Sequence, residues 1–167
     1  YEIDTLILAT GFDAMTGALT SIDIIGRGGA KLKDQLESGA KSYLGLGIAN
    51  FPNLFTITGP GSPSVLSNMM PSIEQHVNWI TDCIDWMETN DKQVIESSKT
   101  AEDEWMVLVN EIADMTIFTD TKSWYNGSNI DTKAKAFLPF IGVPVYAEML
   151  EEVVTEDYKG FIFDRPN

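Results

Sequence analysis

The sequence has little of several residue types that common functional sites require. It contains one cysteine, Cys83, and one histidine, His76. A single cysteine cannot form an internal disulfide, and one cysteine with one histidine cannot supply the ligands of a Cys/His zinc site. A disulfide-stabilised secreted domain and a Cys/His metal centre are therefore excluded, and a reducing cytoplasm is the compartment that we expect.

Basic residues are also scarce. The 167 residues hold 11 Lys and Arg against 25 Asp and Glu, which gives a net charge of −14. Such a chain would repel nucleic acid. The most acidic stretch is residues 81–120, where Lys92 and Lys99 stand among many carboxylates. This stretch is either the solvated face of two helices or a docking surface for a basic partner.

Long apolar runs are missing as well. The longest, such as residues 6–9, have only a few residues, far short of the roughly 20 that span a bilayer, so no membrane segment is expected. What the chain does have is a hydrophobic fraction of 44%, with 4 Trp, 5 Tyr and 8 Phe. This content is enough for a packed core in one ordinary domain.

The pattern of apolar residues predicts an α/β chain. Residues 3–10 form a uniformly apolar run, typical of a strand buried on both faces of a parallel sheet. Because few partner strands follow, we expect a piece of a longer protein, which self-associates through unpaired strand edges. Further short strands are expected at residues 21–25, 43–46, 54–58 and 160–163.

Two long helices are predicted after residue 70. The first begins at Ser72, which forms a capping-box pair with Gln75, and the second has Thr100 and Asp103 as cap residues. A shorter helix is expected near residues 148–154. The apolar stripes comprise Ile73, Val77, Ile80 and Ile84 in the first helix, and Trp105, Leu108, Val109, Ile112 and Met115 in the second.

Two glycine turns are the candidate ligand sites, one at Gly11 and one at Gly59-Pro60-Gly61. Each follows an apolar run, at the place where open α/β sheets receive ligands. Glycine lets a flat cofactor approach the backbone, and N–H groups entering the next helix can face an anion. A purely structural turn is the alternative. Residues 26–31 are glycine-rich but lack a complete nucleotide-binding pattern, so we expect a flexible turn there.

Several of these segments resemble a known family. Residues 4–12 are similar to a segment shared by flavin-containing and N-hydroxylating monooxygenases. More specific are residues 51–55, 59–69 and 72–77, which resemble Baeyer–Villiger monooxygenases of the phenylacetone, steroid and cyclohexanone types. The similarity continues in the same order, so it covers nearly the whole chain, through residues 104–105, 110–111 and 123–129.

The resemblance implies the C-terminal portion of an enzyme that depends on FAD and NADPH. Such an enzyme uses O2 to insert one oxygen atom beside a ketone carbonyl, which gives an ester or lactone. The implied fold is the C-terminal part of a Rossmann-type FAD/NAD(P)-binding domain, with two or more helices packed on short strands. Residues 1–70 would supply strands and cofactor-facing loops, and residues 71–167 the helical part, with a mobile loop near residues 121–135.

The resemblance also assigns roles to particular residues. Asn68 and Met69 match positions that face the flavin ring, and Trp124 matches a tryptophan that hydrogen-bonds the nicotinamide nucleotide. Thr10 and Gly11 would lie where the two nucleotide-binding domains meet. The loop that lines the ketone pocket is matched by Ser64, Val65 and Leu66.

After Trp124 the sequence departs from the family. A Pro-Gly-Lys turn is replaced by Asp131-Thr132-Lys133. Lys133 keeps a positive charge for the nucleotide, whereas Asp131 would repel its phosphates. The family's later Gly-Gly and Tyr-Arg pairs are replaced by Gly142-Val143 and Tyr146-Ala147.

In the family, the glycine fingerprints for FAD and NADP and the catalytic arginine lie upstream of the part that this chain resembles. We therefore expect no catalytic residue in this chain, and neither Arg27 nor Arg165 is that arginine. The chain alone is expected to be inactive, to retain no FAD or NADP(H), and to need an N-terminal FAD/NADP portion as its partner. A free-standing, non-enzymatic binding or scaffold module is the alternative.

Overall fold

The computed structural model describes residues 2–8, 13–63, 67–121, 123–127 and 142–164. These residues form a mixed arrangement of helices and two short strands. The elements are α1 (Gly17–Thr20), α2 (Leu32–Glu37), α3 (Met69–Thr89), β1 (Ile95–Ser97), α4 (Lys99–Asp114), α5 (Val143–Thr155) and β2 (Phe161–Phe163). Single 3-10 turns occur at Arg27–Gly29, Ile117–Asp120 and Trp124–Asn126.

The two strands form an antiparallel pair in which Glu96 lies opposite Ile162. The terminal strand predicted at residues 160–163 is confirmed as β2. Its partner β1 was not predicted, because it has only three residues and two of them, Glu96 and Ser97, are polar although all three are buried.

The strand predicted at residues 3–10 is wrong for its described part. Residues 2–8 form no strand, and Leu6, Ile7 and Leu8 are 69%, 82% and 75% exposed. No strand in the described part of the chain lies beside them to complete a ladder. The self-association expected from this segment stays a prediction.

The strand predicted at residues 54–58 is replaced by an irregular segment. Its backbone N–H groups have unrelated acceptors: Thr56 N–H bonds the Leu46 carbonyl at 2.8 Å, and Thr58 N–H bonds His76 Nδ1 at 2.9 Å. Thr58 also has a φ of 52°, which ends any extended run. The strands predicted at residues 21–25 and 43–46 are not formed either. Single residues of these segments, and Phe55, instead form isolated antiparallel bridges, in the pairs Ile25–Lys31, Tyr43–Gly47 and Gly47–Phe55.

Both long helices are confirmed, but they begin earlier than predicted. α3 starts at Met69, because the side chain of Asn68 accepts a hydrogen bond from Met70 N–H at 3.1 Å, and Ser72 lies inside the helix. α4 starts at Lys99, where Ser98 accepts from Ala101 N–H at 3.1 Å. The third helix is confirmed and longer than predicted, as α5 begins at Val143 and ends at Thr155.

Two hydrophobic clusters hold the described residues together. The smaller packs α2 against the loop after it, with Leu32, Leu36 and Phe51 buried. The larger joins α3, α4, α5 and the strand pair, and it also takes in Tyr43 and Leu46 from the loops before α3. The larger core therefore includes residues from both sides of residue 70. Within the described residues, no helix has the length and apolar character needed to cross a membrane.

Candidate functional site

The turn at Gly59-Pro60-Gly61 is anchored by its carbonyl oxygens. The Gly59 carbonyl accepts from Ser62 Oγ at 2.8 Å, the Pro60 carbonyl from Ser42 Oγ at 2.5 Å, and the Gly61 carbonyl from Trp105 Nε1 at 3.1 Å. All three acceptors are therefore satisfied by buried groups of the chain itself. A bound molecule next to this turn would meet no free carbonyl of these three residues.

The glycines of this turn are required by packing within the chain. A Cβ at Gly59 would clash with Thr56 Oγ1 and lie 2.7 Å from the Gly45 carbonyl oxygen. Gly61 has a φ of 83°, and a Cβ there would lie 3.2 Å from Trp105 Nε1. We expected glycine here to permit the approach of a cofactor, and the structure gives it an intrachain reason as well.

Replacing Gly59 with Ala should therefore destabilise the chain by about 2 kcal/mol, the usual cost of overpacking a buried site. Gly28→Ala is the matched control, because a Cβ at Gly28 meets nothing within 4 Å and only its φ of 63° is unfavourable. That control should lower the free energy of unfolding by about 1 kcal/mol. Urea unfolding of both variants measures the difference, and equal losses would show that Gly59 is not closely packed.

His76 lies within a chain of hydrogen bonds that joins Thr58, just before the turn, to Tyr146 on α5. Its Nδ1 accepts from Thr58 N–H at 2.9 Å, and its Nε2 lies 2.8 Å from the Tyr146 hydroxyl. Tyr146 in turn donates to the Leu44 carbonyl at 2.5 Å. Burial lowers the pKa of His76 to about 4, so the ring is neutral at physiological pH. His76 therefore packs and hydrogen-bonds within the interior of the chain.

Two buried carboxylates hold the loop that precedes the Phe51-Pro52 segment. Glu96 accepts from Asn50 N–H at 3.0 Å and pairs with Arg27 Nε at 2.5 Å. Glu102 accepts from Ala49 N–H at 3.0 Å, and burial raises its pKa. The acidic stretch was expected at the surface, as a solvated helix face or a docking surface, and that was wrong for these two residues, which are 2% and 0% exposed.

The residues expected to face the flavin lie at the exposed start of α3. Asn68 is exposed and caps the helix, while Met69 and Met70 are 39% and 62% exposed. They follow the anchored glycine turn by a few residues. The expected pocket residues Ser64, Val65 and Leu66 lie outside the described residues.

Trp124 begins a 3-10 turn that Ser123 caps by accepting from Tyr125 N–H at 3.3 Å. Its ring stacks on Tyr125 with centroids 4.1 Å apart and remains 41% exposed. A flat, accessible indole is therefore available at this surface, and Trp124 is not a core aromatic. Thr10, Gly11 and Lys133 lie outside the described residues.

A groove of about 680 Å³ runs between α3 and α5. Its apolar floor includes Trp79 and Leu150, and its acidic residues are Glu74, Asp82 and Glu151. Of the described residues, no group of three or more His, Cys, Asp or Glu side chains is arranged to hold a metal ion.

No family model matches the sequence. Curated relatives do match it: a phenazine N-monooxygenase from Lysobacter antibioticus is 40% identical over 163 residues, 97% of this chain and 30% of the relative. A Baeyer–Villiger monooxygenase from Pseudooceanicola batsensis is 40% identical over 99% of this chain and 30% of the relative. The chain thus spans about a third of the length of these relatives.

Solved structures give the same result. The NADP+-bound cyclohexanone monooxygenase from Rhodococcus sp. Phi1 matches with a TM-score of 0.92 and 38% identity, over 99% of this chain and 31% of that one. A steroid monooxygenase bound to NADP matches with a TM-score of 0.84 and 41% identity, over 92% and 29%. The chain is therefore homologous, over nearly its whole length, to a segment of the Baeyer–Villiger monooxygenases.

Proposed function

We propose that the chain is the C-terminal part of the Rossmann-type FAD domain of a full-length Baeyer–Villiger monooxygenase. The reaction converts a ketone, O2, NADPH and a proton into an ester or lactone, water and NADP+. The observation that carries the proposal is the match, in sequence and fold, of nearly the whole chain to monooxygenases of this type. We also place the protein in the cytoplasm, because its one cysteine, Cys83, is free and buried.

The described residues fit a wall of the flavin site. Asn68 and Met69 offer an uncharged, accessible edge at the N-terminal end of a helix of 21 residues, which favours electron-rich groups. The carbonyls of the glycine turn before them point to donors in the chain, so they do not repel the flavin oxygens. FAD held there would supply the two-electron chemistry that links oxidation of NADPH to activation of O2. The role of this chain is to hold and shield one side of that cofactor.

Other residues of the chain are assigned to contacts with the nicotinamide nucleotide. Trp124 presents an exposed ring and an N–H donor, which suits a nicotinamide nucleotide. We assign Lys133 to a nearby phosphate and Thr10 and Gly11 to the junction of the two nucleotide-binding domains. Residues 1–70 then supply cofactor-facing loops, and residues 71–167 supply the helical part together with the nucleotide-contacting segment near residues 121–135.

The pocket residues should control which ketone reacts. In the holoenzyme, meaning the FAD-loaded full-length protein that carries this chain, Leu66→Ala should admit bulkier ketones. The preference between a small and a large ketone should change by roughly 10- to 200-fold, because each methylene of fit is worth about 1–3 kcal/mol. Trp124→Ala should lower product formation equally for both ketones, since its lost contact is to the nucleotide.

The measurement is kcat/KM for both ketones in each variant, with hydrogen peroxide recorded alongside. The assignment of these two residues is wrong if Leu66→Ala slows both ketones equally while Trp124→Ala changes their order.

A second candidate function is oxygenation of an aromatic nitrogen. One relative at 40% identity is named as a phenazine N-monooxygenase, so identity alone does not separate the two substrate classes. In both reactions one oxygen atom of O2 enters the substrate and NADPH supplies the electrons. The scaffold alternative has no such support, because the relatives reported above are all named as monooxygenases.

The experiment that tests the proposal compares the two classes directly. The purified holoenzyme is incubated with NADPH and either cyclohexanone, a linear ketone or phenazine, and products are identified by mass spectrometry. We expect lactone or ester from at least one ketone and no phenazine N-oxide. N-oxide formation without ester would favour the second function, and no oxygenated product from any substrate would contradict both.

A further inference from the structure

We propose that Tyr146 and His76 are positioning residues that couple α5 to the consecutive backbone N–H groups of Thr58 and Gly59, where the cofactor-facing turn begins. The proposal rests on the proposed function for its catalytic consequence. The coupling itself rests on hydrogen bonds within the chain, and it can be tested without catalysis.

The direction of every hydrogen bond in this group is fixed. Thr58 N–H can only donate, so His76 Nδ1 must accept and the proton of the neutral ring lies on Nε2. Nε2 therefore donates to the Tyr146 oxygen, and the Tyr146 hydroxyl donates to the Leu44 carbonyl. Tyr146 is thus used as both acceptor and donor, and no alternative arrangement satisfies all four groups.

The two branches from Tyr146 end at the neighbouring N–H groups of Thr58 and Gly59. One passes through His76 to Thr58 N–H. The other passes through the Leu44 carbonyl to its neighbour Gly45, whose carbonyl accepts from Gly59 N–H at 3.2 Å and from Thr56 Oγ1 at 2.8 Å. Both N–H groups that flank the start of the turn therefore depend on the position of one hydroxyl of α5.

Burial makes this arrangement stiff. His76 and Tyr146 are fully buried, and Leu44 is 2% exposed, so bulk water cannot replace a broken bond between these three residues. The Trp105 ring, which donates to the Gly61 carbonyl, also packs 6.3 Å from the Tyr146 ring. A shift of α5 would be transmitted to residues 58–61 and from there to the start of α3.

The first test is amide hydrogen exchange in Tyr146→Phe, which keeps the ring and removes the hydroxyl. Exchange at Thr58 and Gly59 should accelerate by about tenfold, because opening at these N–H groups no longer breaks the branch through Tyr146. Tyr43→Phe is the matched control, since Tyr43 also loses one hydroxyl bond to a backbone carbonyl, that of Lys159 at 3.0 Å. It should leave exchange at Thr58 and Gly59 unchanged.

The second test is the product formed per NADPH in the holoenzyme. Tyr146→Phe should lower kcat for ester formation by about tenfold, since small misplacements of a cofactor wall are costly. The KM for the ketone should hardly change. Tyr43→Phe should leave both unchanged. If Tyr146→Phe does not fold, His76→Gln replaces it, because the Gln amide nitrogen can donate to Tyr146 while its oxygen does not occupy the place of Nδ1, the acceptor for Thr58.

Equal exchange rates in Tyr146→Phe, or in the substituting His76→Gln, and in the control would overturn the coupling. Accelerated exchange with an unchanged product yield would overturn its catalytic consequence. Accelerated exchange in a holoenzyme that oxygenates no substrate would leave the coupling in place and contradict the proposed function instead.

Discussion

Replacing Glu96 with Ala should lower the free energy of unfolding by about 3–5 kcal/mol, the usual cost of breaking a buried ion pair from one side. The Glu96 side chain is 1% exposed, and it holds both Arg27 Nε at 2.5 Å and Asn50 N–H at 3.0 Å. Its removal would leave a guanidinium, 16% exposed, beside an unpaired backbone donor. For a chain of this length, the loss corresponds to a fall in Tm of roughly 10 °C.

Asp164→Ala provides a matched control on the surface. Asp164 also pairs with a cation, Lys92 at 3.1 Å, and also accepts from a backbone N–H, that of Gln93 at 3.0 Å. Its side chain is 40% exposed, so its loss should cost less than about 1 kcal/mol. Urea unfolding of both variants measures the contrast. Similar losses would mean that burial does not set the strength of the Glu96 pair.

Stability should also fall as the pH is lowered from 6.5 towards 4, because of His76. Burial lowers its pKa from 6.5 in the unfolded chain to about 4 in the folded one. Between these values the unfolded chain binds more protons, so acid favours unfolding. The contribution of His76 is complete above pH 6.5, and about 2 kcal/mol of it should be lost by pH 5.

The measurement subtracts the unfolding free energy of His76→Asn from that of the parent at each pH. Glu102 has a raised pKa and therefore acts in the opposite direction as the pH falls, but it is present in both proteins and cancels. Because His76 is the only histidine, its ring can also be followed by NMR without assignment. A midpoint near pH 6.5 for the titration of the His76 ring in the folded protein would contradict the buried hydrogen-bond network.

Sequence reasoning predicted the helices well because their signal is long. α3 and α4 extend over 21 and 16 residues, so an apolar stripe repeats several times within each. Their starts were missed because the true caps, Asn68 and Ser98, have acceptor side chains just like the residues that were chosen. Only the three-dimensional course of the chain distinguishes such candidates.

The interior polar groups could not be predicted, because each depends on a partner far along the chain. Glu96 reaches Asn50, Glu102 reaches Ala49, and His76 reaches Tyr146. No local spacing marks these pairs, and an Asp/Glu-rich segment is ordinarily a solvated surface. The cofactor and pocket residues came from the family resemblance alone, and their roles stay predictions.

Oxygen labelling of the holoenzyme reaction shows whether O2 is the source of the oxygen atom inserted beside the ketone carbonyl. The protein is supplied with NADPH, a ketone and ¹⁸O2 in ordinary water, and the product is analysed by mass spectrometry. We expect one ¹⁸O atom in each ester or lactone molecule and one NADPH oxidised for each product molecule formed. Product without label, or NADPH oxidation that yields only hydrogen peroxide with every ketone, would contradict it.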